Sequence, residues 1–464
     1  MIVDGAPAPR QVREPTGDRS PSSGILQMMR NLLFVALVAG GLPPALPMLH
    51  AQTVPFPMDT VDARRFFLEV SELITRDAGA LWGRTLEGPM LFVHAPSRTV
   101  LTLVPGSGDT LRPMGGFFTG TLPDAEPVAN SSLDWNGRRW AMVVWPPRAD
   151  SLERRVLFAH ELWHRVQDSL GFSSGIPSNA HLGSRNGRLW LRLEGRALRT
   201  ALVTSGAARA RALQDAIAFR RERRRLFPGS DSDERTLELN EGLAEYSGIM
   251  LATASQEARI ALTDRRLALL DSATNFERDF AYRTGPAWGL LLDELKPGWR
   301  TGLVPTADLA MIAAQSLGTP RGPARSASAR GAAYGLAAVR KHEDARAEAR
   351  KKHIAFLQTR FVDGPVLELP LADMKMSFDP GKVEAMSSLG SVYGMLRLTD
   401  RWGVLQCDLS GGLIATDFRR ALVPAPSDTG GRRLTGPGWV LELLPGWRLV
   451  PGPRPGDWAV QQSP

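Results

Sequence analysis

The stretch VLFAHELWHRVQ, residues 156–167, limits the possible folds of this chain more than any other. His160 and His164 stand four positions apart, and Glu161 directly follows the first of them. On a helix, positions i and i+4 share one face, a turn apart, so two imidazoles there can converge on one metal ion. Glu161 is turned by about 100° from His160, which lets its carboxylate reach a water on such an ion without being a ligand. The fold must then keep this segment helical and bring a third ligand to it. The competing reading is an ordinary helix with two buried, hydrogen-bonded histidines.

The flanking residues favour a helix. Asp150 is placed to cap it, and Glu153 follows three residues later, as in a capping box. Leu152, Val156, Ala159 and Trp163 fall at helical spacing and make an apolar face. The pattern predicts a helix to about Leu170, stopped by Gly171.

Composition narrows the choice of ligands. Cys407 is the single cysteine of 464 residues, which excludes an intramolecular disulfide and any multi-thiolate metal site. Histidines and carboxylates remain as ligands. The formal charge is +8, but lysine occurs at six positions only, so arginine supplies nearly all of the basic residues. That bias fits a GC-rich coding sequence, and no nucleic-acid partner is expected. The densest basic run, RRERRRLF at residues 220–227, has no interleaved aromatics and reads as a solvated helix face.

At the other extreme of polarity, residues 28–51 run from basic Arg30 through an apolar stretch at 32–42 to small residues before Ala51. This is the order of a secretory signal. Residues 1–27, upstream of Met28 and Met29, read as an N-terminal extension. The apolar stretch is short and broken by Gly and Pro, and no later segment reads as a membrane helix. The expected mature chain is secreted or periplasmic and has no transmembrane segment; a retained N-terminal anchor is the alternative.

The overall pattern is α+β. Residues 52–150 read as a β-rich subdomain of short strands, with RRWAMVVWPP at 138–147 the clearest. Residues 151–363 read as mostly helical. Within them, helices are expected over 188–227, from Glu234 or Arg235 after the loop PGSDSDE, and from RTGPAW with Pro286 in its first turn. Residues 364–464 return to short strands and read as a C-terminal β-rich module.

A third ligand must now be found. A pattern with glycine at 167 and a third histidine at 170 fails, because those positions hold Gln167 and Leu170. The segment LELNEGLAEYSG, residues 237–248, offers Glu241 and Glu245 four positions apart among apolar neighbours. A buried carboxylate is costly unless it is paired or binds metal. Glu194, a lone acid in LWLRLEGRAL, is a rival ligand, and both possibilities stand at this point.

HExxH followed by NEGxAE resembles the gluzincin metallopeptidases, the thermolysin and aminopeptidase N type. The resemblance covers about residues 150–295. It implies a zincin-like catalytic domain, contained in residues 52–363, with one Zn2+ held by His160, His164 and Glu241. It gives Glu161 the role of general base, and Asn240 and Glu245 supporting places around the ligands. Glu245 would orient a ligand histidine through its other ring nitrogen. FAYRTGPAWGLLLDEL, residues 280–295, resembles the YEKGA helix start of the same enzymes and implies Tyr282 as an oxyanion donor. Two departures stand out. Glu241 follows His164 by 77 positions (241 − 164), a long insert. A GAMEN-type segment for a free amino terminus is missing, so aminopeptidase activity is not implied. The expected function is a secreted zinc metallopeptidase acting on peptide or protein substrates. The alternative is a non-catalytic envelope protein that binds or scaffolds. His181 is expected in a surface loop, and Arg196 and Arg283 in ordinary salt bridges.

Overall fold

The computed structural model describes residues 56–464, apart from 107–109, 173–174, 176, 274, 319–324, 380–381 and 464. The expected signal and extension, residues 1–51, lie outside the described residues. The first element is a helix, α1 (Thr60–Asp77), where short strands were expected. Asp59 accepts hydrogen bonds from the N–H groups of Val61 and Asp62 and so caps its start. Phe66, Phe67, Val70 and Leu73 recur at helical spacing and are all buried.

Six strands follow: β1 (Met90–His94), β2 (Thr99–Thr102), β3 (Arg112–Met114), β4 (Phe117–Thr121), β5 (Ser131–Trp135) and β6 (Arg138–Trp145). They form one sheet in the order β3-β4-β2-β1-β6-β5. β1 and β6 run parallel; the other pairs are antiparallel. Asn136 and Gly137 both take positive φ and turn the chain tightly from β5 into β6. Phe67 of α1 packs on Phe92 of β1, and Phe66 meets both Phe92 and Phe158. The sheet thus carries a helical layer that includes the next element.

That element is α2 (Ser151–Val166), which follows β6 closely. Asp150 caps it through the Glu153 N–H at 2.8 Å, as expected. A 3-10 turn continues to Leu170, and Gly171 ends it with φ of 88°. The Glu153 carboxylate turns away from the cap to Arg266, at 2.7 Å.

α3 (Arg185–Val203) and α4 (Gly206–Leu226) pack against each other. Next, α5 (Ser230–Leu237) passes through one π turn, Glu238–Gly242, into α6 (Leu243–Ala252). This helix begins about a turn earlier than expected and takes in the residues SDSDE. Asp231 and Asp233 in its first turn complement the helix dipole, and Gly229, with φ of 88°, marks the break before it. Then come α7 (Gln256–Ala268), α8 (Ala281–Leu295), α9 (Leu309–Leu317), α10 (Ala327–Gly331) and α11 (Leu336–Gln358). α8 starts at Ala281, so Pro286 falls in its second turn rather than its first. Proline has no N–H to offer the Tyr282 carbonyl one turn back.

Glycines fix how α2, α6 and α8 meet. A Cβ on Gly248 of α6 would stand 2.6 Å from the Val156 carbonyl oxygen of α2. A Cβ on Gly285 of α8 would stand 2.4 Å from the Cα of Gly242. The segment carrying Glu241 therefore lies backbone against backbone on the segment carrying Tyr282. Gly285→Ala is expected to destabilise the protein by about 1–3 kcal/mol, because neither backbone can yield cheaply. Denaturant melts of the two proteins check this, and an unchanged midpoint would mean that the contact is loose.

From Val366 to Gln462 the chain is strand-rich, as the sequence predicts. Among the described residues these strands form a seven-stranded and a five-stranded sheet. Leu398, Trp402, Leu405, Trp439 and Leu441 fill a core there, separate from that of the helices. The architecture is α+β, with helices in the middle and sheets at the C-terminal end. No helix among the described residues is long and apolar enough to cross a membrane.

Candidate metal centre

α2 buries most of its surface; His160 is buried with it and His164 is partly buried. His160 Nε2 and His164 Nε2 lie 3.0 Å apart. Glu241, in the π turn, brings its Oε2 to 3.4 Å from His160 Nε2 and 3.3 Å from His164 Nε2. A tetrahedral ion with bonds of about 2.0–2.1 Å holds its ligand atoms about 3.3–3.4 Å apart. The three atoms form a triangle close to that size, so they fit one small metal ion (among the described residues, this group alone meets the geometry of such a site). The 77-position insert is spanned by folding: α6 packs on α2 and carries the π turn to its histidines.

The other ring nitrogens are fixed as well. His160 Nδ1 is 2.8 Å from Glu245 Oε2, and Glu245 in turn pairs with Arg266 of α7. With the proton on Nδ1 donated to Glu245, His160 Nε2 keeps its lone pair for a metal. His164 Nδ1 is 2.5 Å from Gln167 Oε1, and Gln167 Nε2 donates to Asn240 Oδ1 at 3.1 Å. Glu245 thus touches His160 directly, and Asn240 reaches His164 through Gln167. Gln167 joins them as the link between His164 and Asn240, although in sequence it served only to exclude a pattern. Its signal was its position, one turn beyond His164.

Glu161 is 3% exposed, and its Oε2 has no hydrogen-bond partner in the protein. Burial raises its pKa, and the two histidines only partly oppose this. Glu241 behaves in the opposite way. Burial pushes it up, but its contacts with the His160 and His164 rings hold it well below the usual carboxylate range. A carboxylate so held stays ionised, as a ligand must.

The Tyr282 ring stacks on the His160 ring, with 5.5 Å between centroids and 4° between planes. Its hydroxyl lies close enough to Glu241 and Arg278 to feel both charges. Burial, reinforced by the Glu241 charge, raises its pKa, so it remains a proton donor. Arg278 Nη2 also donates to Glu241 Oε1 at 3.1 Å. Sequence reading had passed over Arg278, which lies four positions before Tyr282. His160, Glu161, Tyr282 and Arg278 line one cleft of about 600 Å3, together with Leu157, Leu269 and Arg283.

Glu194 is not part of this centre. It is fully buried and held by Arg220 at 2.7 Å and Arg223 at 2.6 Å, with the Trp288 indole at 3.3 Å. Those arginines come from the basic run expected to be a solvated face. Arg220 and Arg223 are 1% and 0% exposed, drawn inside by the buried acids Glu194, Glu234 and Glu238. His181 is also paired, at 2.8 Å from Glu234, instead of standing free in a surface loop. Arg196 and Arg283 make salt bridges with Asp271 and Asp279, as expected.

No protein-family model matches this chain, and no curated protein or solved structure matches it either. Its functional reading therefore rests on the residues of this centre.

Proposed function

We propose that the chain is a secreted or periplasmic zinc-dependent peptidase with Glu161 as its general base. The observation that supports this best is a buried carboxylate with an unpartnered oxygen beside a three-ligand cluster, with Glu161 and the ligand His160 both lining one cleft. His160, His164 and Glu241 would hold the zinc. When bound, zinc lowers the pKa of a water and polarises a carbonyl.

The remaining work falls to side chains of the chain. Glu161 Oε2 takes a proton from the attacking water and passes it to the leaving nitrogen. A carboxyl with a raised pKa suits both halves of that transfer, since it accepts the proton and holds it briefly. Tyr282 donates its O–H to the oxygen that gains charge as the carbonyl carbon becomes tetrahedral. Glu245 and Gln167 keep the two imidazoles turned with Nε2 towards the ion. No side chain need form a bond to the substrate, so no acyl-enzyme is expected.

Metal analysis with an activity assay tests this. The purified chain should carry one zinc per molecule and cleave labelled casein. A chelator should remove both properties together, and zinc should restore both. A folded chain that takes up no zinc sinks the proposal.

A further inference from the structure

We infer that Arg278 is a further catalytic residue, a guanidinium that joins Tyr282 in binding the substrate oxygen that gains negative charge. This rests on the peptidase reading above. Arg278 touches the ligand cluster from the cleft side. Its Nη2 donates to Glu241 Oε1, whereas the two histidines face Glu241 Oε2. The Arg278 side chain is 51% exposed, against 5% for Glu241. One edge of the guanidinium is therefore fixed on a ligand and the rest faces the cleft.

A guanidinium carries five N–H groups in a planar fork. Contacts with Glu241 and Tyr282 leave further donors free for substrate. Holding Glu241 alone would require one N–H and no exposure. The other arginines of the cleft are engaged elsewhere: Arg266 with Glu153 and Glu245, Arg283 with Asp279, and Arg148 with Glu153. Arg278 alone among them is paired with a ligand residue, and it shares that ligand with the Tyr282 hydroxyl. Donors aimed at developing charge stabilise a transition state more than a ground state. Arg278 keeps its proton throughout; it contributes hydrogen bonds and charge. Lysine, a point charge without the fork, cannot span Glu241 and Tyr282 and still reach a substrate oxygen.

The test compares wild type, Arg278→Lys and Arg278→Ala at saturating zinc, with casein hydrolysis, zinc content and melting temperature measured on each. Arg278→Ala is expected to keep its zinc and melting temperature and to lose about 10²–10³-fold in kcat, with KM changed only a few-fold. Added guanidinium should restore part of the Arg278→Ala rate, and Arg278→Lys should restore little. A phosphonate built on a cleaved casein peptide, which carries a tetrahedral anion, should bind Arg278→Ala more weakly by a similar factor. Unchanged kcat, or a lower rate explained wholly by lost zinc, overturns the inference and leaves the peptidase reading intact. A wild-type chain without zinc and without hydrolysis overturns the peptidase reading instead.

Discussion

Glu161→Gln is expected to keep zinc at the wild-type level and to lower peptide hydrolysis by about 10²–10⁴-fold. The substitution preserves the size of the side chain and removes its ability to take a proton. Glu161 supplies none of the three atoms that could hold the ion, so the site itself should stay intact. Stability should hold or rise, because a neutral amide loses less on burial than a carboxylate, and Glu161 is 3% exposed. The measurement is kcat at saturating zinc, beside metal content and a denaturant melt. If Glu161→Gln keeps the wild-type rate, the base lies elsewhere. If it loses zinc, Glu161 belongs to the ligand set and its role must be revised. A binding or scaffold protein would show neither change, since it has no rate to lose.

How much of this centre was legible beforehand depends on the range of the interactions. The helix of His160 and His164 was readable from local rules alone: the Asp150 cap, the apolar spacing and the Gly171 stop all recur in the structure. The α1 stripe was equally local, yet it was missed, because a β-like texture was extended over the whole N-terminal stretch. Glu241 was named as a ligand candidate on its apolar surroundings and on the family motif, but Glu194 had similar surroundings. What separates them is tertiary. α4 places Arg220 and Arg223 against Glu194, whereas α6 lies on α2 and brings Glu241 to the histidines. The basic run misled for the same reason. Charge density looks like solvation in one dimension, and only the fold shows that three buried acids await those arginines. Gly242 and Gly285 stand in the NEGxAE and YEKGA-like segments only as motif letters. Their physical use, a direct backbone contact, becomes visible only when the two segments meet.

Arg223→Ala is expected to cost about 3–5 kcal/mol of stability at neutral pH, the usual loss when one partner of a buried ion pair is removed. Arg223 is 0% exposed and bonds Glu194 at 2.6 Å and Glu234 at 2.6 Å, each of which is also fully buried. Arg220 beside it bonds Glu194 and both oxygens of Glu238, and Glu238 also accepts from Thr284. The cluster thus ties α3, α4 and α5 to the π turn of Glu241 and to α8. Burial pushes Glu194 and Glu234 up in pKa, but the arginines outweigh it and hold both below the usual range. Carboxylates with a lowered folded-state pKa stabilise fully above the unfolded value, about 4.3, and lose that contribution as pH falls towards the folded value. Wild-type stability should accordingly be level near neutrality and decline below about pH 4.3. The Arg223→Ala deficit should shrink over the same acid range, because the stranded carboxylates can then protonate. Urea melts at pH 7 and pH 4 measure both effects. A deficit under about 1 kcal/mol at pH 7 would be the size of a solvated pair, and would mean that water reaches these side chains.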